Sequence, residues 1–251
     1  MNRILRTTLL SGAVALTLLS SCKKSADNPL DTSTPSSTSA LSVTINDGWG
    51  ALAAVTSVSY TTVAGITFPL NVNTAVAAFR SSAGSTTFID GGTVMLNSKT
   101  LTKQSGNAYV YQNLTDPISF PPVTWSVSGA GSIPAINYTD DKNMPAFTGY
   151  NSLPSSVSRS TDLTVSLSGM ITDADSVYCQ IAGSGNKSIL KRVAGNASQV
   201  VFTAAELSAL GTTTGGLIQV APWNYKKEDI SSKTFYFINE TCYSKVGITI
   251  N

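Results

Sequence analysis

The chain has 251 residues, 16 Lys and Arg against 14 Asp and Glu, no histidine, and only 12% charged residues. Without histidine there is no His-containing triad, no imidazole general base and no histidine-rich zinc or copper site. The basic residues are scattered, the densest pairs being Lys23-Lys24, Lys191-Arg192 and Lys226-Lys227; no stripe suits a phosphate backbone, so nucleic acid is not an expected partner. No Gly-x-Ser-x-Gly elbow and no phosphate-loop pattern occurs, and no cofactor is expected.

At the N-terminus Arg3 and Arg6 precede an uncharged segment from Thr7 to Leu19, followed by Ser20-Ser21-Cys22 and then Lys23-Lys24. The segment has signal-peptide length and is too short for ~30 Å of hydrocarbon. A leader ending in leucine, two small residues and cysteine resembles the lipobox of bacterial lipoproteins. That resemblance implies cleavage before Cys22, acylation of Cys22 and attachment to a membrane through it. The Cys-Lys-Lys start after Ser-Ser resembles lipoproteins of Bacteroidota cell envelopes. Lys23 stands where the inner-membrane retention signal of that family has Asp, which favours the outer membrane. Loss of the leader removes Arg3 and Arg6, so the remaining chain carries 14 charges of each sign.

Residues 22–40 are expected to form the acylated cysteine that the resemblance implies and a tether rich in Ser and Thr with two prolines, a composition that spaces a domain from its anchor. Short β runs then begin a first β-rich domain over residues 41–149. Ala51–Thr62 is apolar and β-branched. Thr74–Arg80 is expected to form one or two helical turns capped by Asn73. Asp90-Gly91-Gly92 between Thr86–Ile89 and Thr93–Leu96 predicts a hairpin. Asn97-Ser98 predicts a further turn, and Val123–Ser128 alternates with the period of a strand.

Gly and Pro crowd into residues 129–154 and mark a boundary. Beyond it Leu163, Val165 and Leu167 share one face of a strand, and Val177, Cys179 and Ile181 share another. Thr203-Ala204-Ala205-Glu206 has the spacing of a capping box and predicts a short helix ending by Gly211. Strands are expected at Gly216–Ala221, Thr234–Ile238 and Cys242–Ile250. About seven short strands with one short helix over residues 150–251 resemble immunoglobulin- and fibronectin-type sandwiches. The expected fold is therefore all-β: two β-sandwich domains, the second immunoglobulin-like.

Few residues stand out as chemistry. Cys179 and Cys242 remain as an even pair in an exported chain and point to a disulfide, with two buried thiols as the alternative. In the pattern Pro222-Trp223-Asn224-Tyr225-Lys226-Lys227-Glu228-Asp229, Trp223, Tyr225 and Asn224 are expected to form a loop platform for a glycan or peptide; the alternative is an aromatic folded back onto the core. Asp140, Asp141 and Asn143, with Asp173 and Asp175, are the carboxylate clusters. Neither group alone supplies the six to eight oxygens calcium takes, and no metal is expected. Two Ser-x-x-Lys matches, Ser184 to Lys187 and Ser188 to Lys191, lack the helix start and the Lys-Thr-Gly strand that such a site needs. Trp49, Trp125 and Tyr60 read as packing residues. These features favour a non-catalytic, lipid-anchored binding module for a glycan or another envelope component. An adhesive protein acting through protein–protein contacts is the second reading, and a carboxylate-based hydrolase the third.

Overall fold

A computed structural model describes residues 47–63 and 66–251; Cys22, the leader and the tether lie outside the described residues. The chain is all-β, with one short α-helix and a 3-10 turn at Tyr150–Ser152 among the described residues. It opens with a long hairpin of β1 (Gly50–Val63) and β2 (Ile66–Arg80). Then follow β3 (Phe88–Ile89), β4 (Val94–Leu96), β5 (Lys99–Thr100), β6 (Thr102–Lys103), β7 (Ala108–Gln112), β8 (Val123–Val127) and β9 (Ile136–Asp140). The second half contains β10 (Ala146–Phe147), β11 (Ser156–Val157), β12 (Leu163–Ser166), β13 (Ile171–Thr172), β14 (Ser176–Ala182), β15 (Ser188–Ala194) and β16 (Gln199–Phe202). After helix α1 (Ala204–Leu207) a hairpin of two 18-residue strands, β17 (Thr213–Ile230) and β18 (Lys233–Ile250), ends the fold.

Ten strands join in one sheet of order β15-β14-β17-β18-β1-β2-β7-β6, with β3 and β11 attached to β2 and β18. β1 and β18 run parallel; the pairs that flank them are antiparallel. Small sheets pack on one face, called inner below. β5-β4-β8-β9 covers the first half of that face, where Trp125, Val94 and Leu96 meet Leu52, Phe79, Phe235 and Phe237. Over the second half lie β10-β13, β12-β16 and α1, where Val165, Phe202 and Leu207 meet Val177, Ile181, Ile218 and Val220. Each strand of the final hairpin thus feeds both inner cores. Along β17 and β18 the opposite, outer face carries Ala221, Trp223, Tyr236, Ile238 and Cys242.

Several local expectations hold in detail. Thr203 caps α1 with both arms of the capping box present, and Asp162 accepts a further hydrogen bond from the Ala204 amide at 2.7 Å. Asn97 and Ser98 both have positive φ, 47° and 63°, as a two-residue turn between β4 and β5 requires. Trp125 is fully buried, Trp49 packs against the first core with Lys233 over its ring, and Tyr60 lies 3.9 Å from the ring of Tyr150.

Two elements depart from their local signals. Thr74–Arg80 is strand, not helix: it lies between β1 and β7 and pairs with both, so ladder hydrogen bonds and burial on both faces outweigh the helix preference of its alanines. Asp90-Gly91-Gly92 does not close a hairpin, because β3 pairs with β2 while β4 pairs with β5 and β8. The glycines serve a crossover between sheets. A Cβ on Gly91 would lie 2.4 Å from the Phe79 ring, and the Asp90 carboxylate receives the Gly92 amide, the Tyr109 hydroxyl and Lys103.

Candidate functional site

The expected platform 222–229 is not a loop. It is the second half of β17, paired with β18 from Trp223 onward. Trp223 is only 2% exposed and stacks on Tyr178, ring centroids 5.5 Å apart and planes 7° apart. The correction has a simple cause: Pro222-Trp223-Asn224-Tyr225 alternates in a strand, so Trp223 and Tyr225 share the outer face with Tyr236, and Asn224 faces inward. Trp223 is a core residue, and no ligand can stack on its face as it stands.

The cysteines also depart from expectation. Cys179 and Cys242 are free. Cys179 points into the second inner core and Cys242 into the outer-face cluster. β17 lies between their strands, so two strand spacings of ~4.8 Å and opposite faces exceed a disulfide's ~7 Å limit. Burial pushes the Cys179 thiol up to about 12, and burial also raises the Cys242 thiol well above its ordinary value, with Glu240 alongside adding to the effect.

Tyr225 and Asn224 do reach a site. Pairing between β14 and β17 stops at Trp223, and from Asn224 onward β17 has no second strand partner among the described residues. The turn at Asp173–Asp175 caps that edge. The Asp175 amide donates to the Trp223 carbonyl at 3.0 Å, the Tyr225 amide donates to the Asp175 carboxylate at 3.1 Å, and Asn224 Nδ2 donates to the Asp173 carbonyl at 2.7 Å. Opposite stands the end of β9. There Asp140 accepts from the Lys142 amide at 2.9 Å and from Asn239 Nδ2 at 3.1 Å, and the Tyr138 ring stacks on Phe237 at 3.8 Å. Burial, aided by Asp140 and Glu228, pushes the Tyr138 hydroxyl up to about 12, so it remains a hydrogen-bond donor at neutral pH.

Between these walls lies a cleft of about 810 Å³, within the size range of small-molecule sites. Both acidic groups noted in the sequence line it, Asp140, Asp141 and Asn143 from one half and Asp173 and Asp175 from the other, together with Asn224, Tyr225, Lys226 and Glu228. Five carboxylates face two lysines, Lys142 and Lys226, so the cleft is acidic. No group of three or more metal-ligating side chains occurs among the described residues. The second Ser-x-x-Lys match is structural: Ser188 begins β15, and Lys191 pairs with Glu206 at 2.7 Å and donates to the Val201 carbonyl at 2.7 Å.

The sequence contains the cleft's parts without their assembly. The two acidic groups are some thirty residues apart in the chain, and only the crossing of β17 between the halves brings them together. Tyr138 gave no signal, because strand aromatics normally disappear into packing. Compared with protein-family models, curated proteins and solved structures, the chain shows no match.

Proposed function

We propose that this chain is a lipid-anchored protein of the bacterial outer membrane that binds a glycan without transforming it, through the cleft between β9, the Asp173–Asp175 turn and the free edge of β17. The observation that carries the reading is the make-up of that cleft. Two tyrosines, Tyr138 and Tyr225, stand beside two side-chain amides, Asn143 and Asn224, and a set of carboxylates. Aromatic surface with a few convergent polar groups suits a polyhydroxylated ring, whose apolar face packs and whose hydroxyls donate to carboxylates. The excess of carboxylates repels phosphorylated and uronic-acid polymers, so the expected ligands are neutral or amine-bearing sugars. Acylation at Cys22 and a tether over residues 22–40 complete the proposal: the anchor supplies location and the cleft supplies binding.

The test is a glycan-array screen of the chain from residue 22 carrying Cys22→Ser, followed by titration of any hit. Asn224→Ala and Tyr225→Ala should each weaken binding about tenfold or more, the scale of a lost hydrogen bond or ring contact of ~1–2 kcal/mol. A hit that binds both variants as tightly as the parent, or an array on which only anionic glycans bind, overturns the reading.

A further inference from the structure

Five large apolar side chains are conspicuously exposed among the described residues: Phe68, Leu70, Leu114, Leu190 and Val246. Four of them fall on one surface. Strand register places Leu190, Gln180, Gln219, Ser244, Ser59 and Leu70 in one row across β15, β14, β17, β18, β1 and β2. Val220 opposite Cys179 belongs to the inner core, so Gln219 and its row face outward; Gln219 and Ser244 at the centre of the row are buried, Gln219 Nε2 donating to Ser244 Oγ at 2.8 Å, and the exposed Leu190 and Leu70 stand at its two ends. In the next row Leu217 pairs with Val246, and Phe68 pairs with Thr61 at the same end of the sheet. Val246 follows Ser244 outward by alternation, and the bulge at Gly247, with φ of +79°, returns Ile248 to the core. Neither row contains a charged residue. The hairpin that supplies Phe68 and Leu70 has no Asp, Glu, Lys or Arg between Gly48 and Phe79, and a water-facing sheet surface of this kind normally carries polar or charged side chains.

The described chain also begins on this face. Asp47 receives hydrogen bonds from the hydroxyl of Tyr236, an outer-face residue, and from Lys227. Tyr236 and Val246 are ten residues apart on β18, roughly 33 Å at strand spacing. The 25 residues from Cys22 to Asp47 extend to at most ~85 Å, so an acylated Cys22 can lie at the apolar end of the face.

We propose that the end of the outer sheet face bearing Phe68, Leu70, Leu217, Val246 and Leu190 rests on the lipid surface that holds the anchor, orienting the acidic cleft away from it. This rests on the lipid-anchor reading of Cys22. A bilayer is favoured over a protein partner because the surface has neither the charge pattern nor the polar rim that fixes register between proteins. A surface whose exposed large side chains are apolar needs only the boundary between headgroups and acyl chains.

The experiment uses the acylated protein in phosphatidylethanolamine–phosphatidylglycerol vesicles. Because Cys179 and Cys242 are buried, Phe68→Cys, Val246→Cys and Leu114→Cys can each be labelled with an environment-sensitive fluorophore in the native state. Expected is loss of most emission to nitroxide-labelled lipids at positions 68 and 246 and little loss at 114, insensitive to salt. Leu70→Ser should weaken the quenching seen at 246. Unquenched probes at 68 and 246, or equal quenching at all three positions, overturn the proposal. A blue shift at 68 that depends on protein concentration without vesicles assigns the surface to a second copy and also overturns it. Mass spectrometry of the N-terminal peptide keeps the two readings apart: a peptide without acyl mass removes the anchor, and this proposal with it, whereas unquenched probes on acylated protein remove this proposal alone.

Discussion

Glu240 has the least ordinary environment of any residue described. It is wholly buried on the outer face, opposite Trp223 across the β17–β18 ladder. One carboxyl oxygen accepts from the Cys242 thiol at 2.8 Å; the other has no hydrogen-bond partner, and neither does Trp223 Nε1. Burial pushes its pKa from 4.5 to about 7, so the folded chain holds this proton more tightly than the unfolded one. Its effect on stability is most favourable below pH 4.5, declines as pH rises through 7 and is constant above, a change of roughly 3 kcal/mol. Denaturant melts at pH 5 and pH 8 should show the chain less stable at pH 8, and Glu240→Gln should remove most of that difference. A pH dependence identical in the variant would place the effect elsewhere. The thiols give a second expectation at this scale. A disulfide-exchange reagent should react with neither Cys179 nor Cys242 in the native protein from residue 22 carrying Cys22→Ser, and with both after unfolding, since buried thiols of raised pKa are poor nucleophiles. Trp223→Ala should cost about 3–5 kcal/mol in melts, the usual range for a buried tryptophan.

Among the elements, β12 was the most legible. Its alternation of Leu163, Val165 and Leu167 places Val165 in the second inner core at 4% exposure and leaves Thr164 outward. Val165→Asp should therefore lose several kcal/mol, comparable to the stability of many domains, while Thr164→Asp stays close to the parent. Equal melting of the two variants would mean a wrong register. The elements that depart from their local signals share a cause. Thr74–Arg80 and residues 222–229 carry local signals for helix and loop, but each lies inside a wide sheet whose neighbours come from distant sequence. A strand flanked on both sides gains ladder bonds and two-faced burial that no short window reveals. Asp90-Gly91-Gly92 signals a hairpin it does not form, because glycine permits close approach, here to Phe79, as well as tight turning.

For the whole molecule, the final hairpin matters most, since its strands span both inner cores and its outer edge closes the cleft. The proposed binding cleft and the proposed lipid-facing end of the sheet thus both draw on this one hairpin. Location is tested at the other end of the chain. Cys22→Ala should leave the protein without acyl mass and outside the membrane fraction, or with its leader retained, as fractionation and mass spectrometry of the N-terminus would report. One acyl chain binds membranes only marginally, whereas several on one cysteine anchor stably. A variant that fractionates with membranes as the parent does would remove the role given to Cys22.

What the sequence determined by itself is whatever rests on local chemistry: the all-β class from alternation and turn residues, the capped helix at Thr203–Glu206, the inward face of β12 and the absence of imidazole chemistry. Tertiary structure decided which faces were buried, and so which residues were available. It drew Trp223 into packing against Tyr178, set Cys179 and Cys242 on opposite faces, and gathered Asp140, Asp141, Asp173 and Asp175 around one cleft. The physical reason is that strand pairing in this fold is mostly non-local. The period of two says that a side chain alternates, but only the partner strands and the layer packed above them say which side meets water.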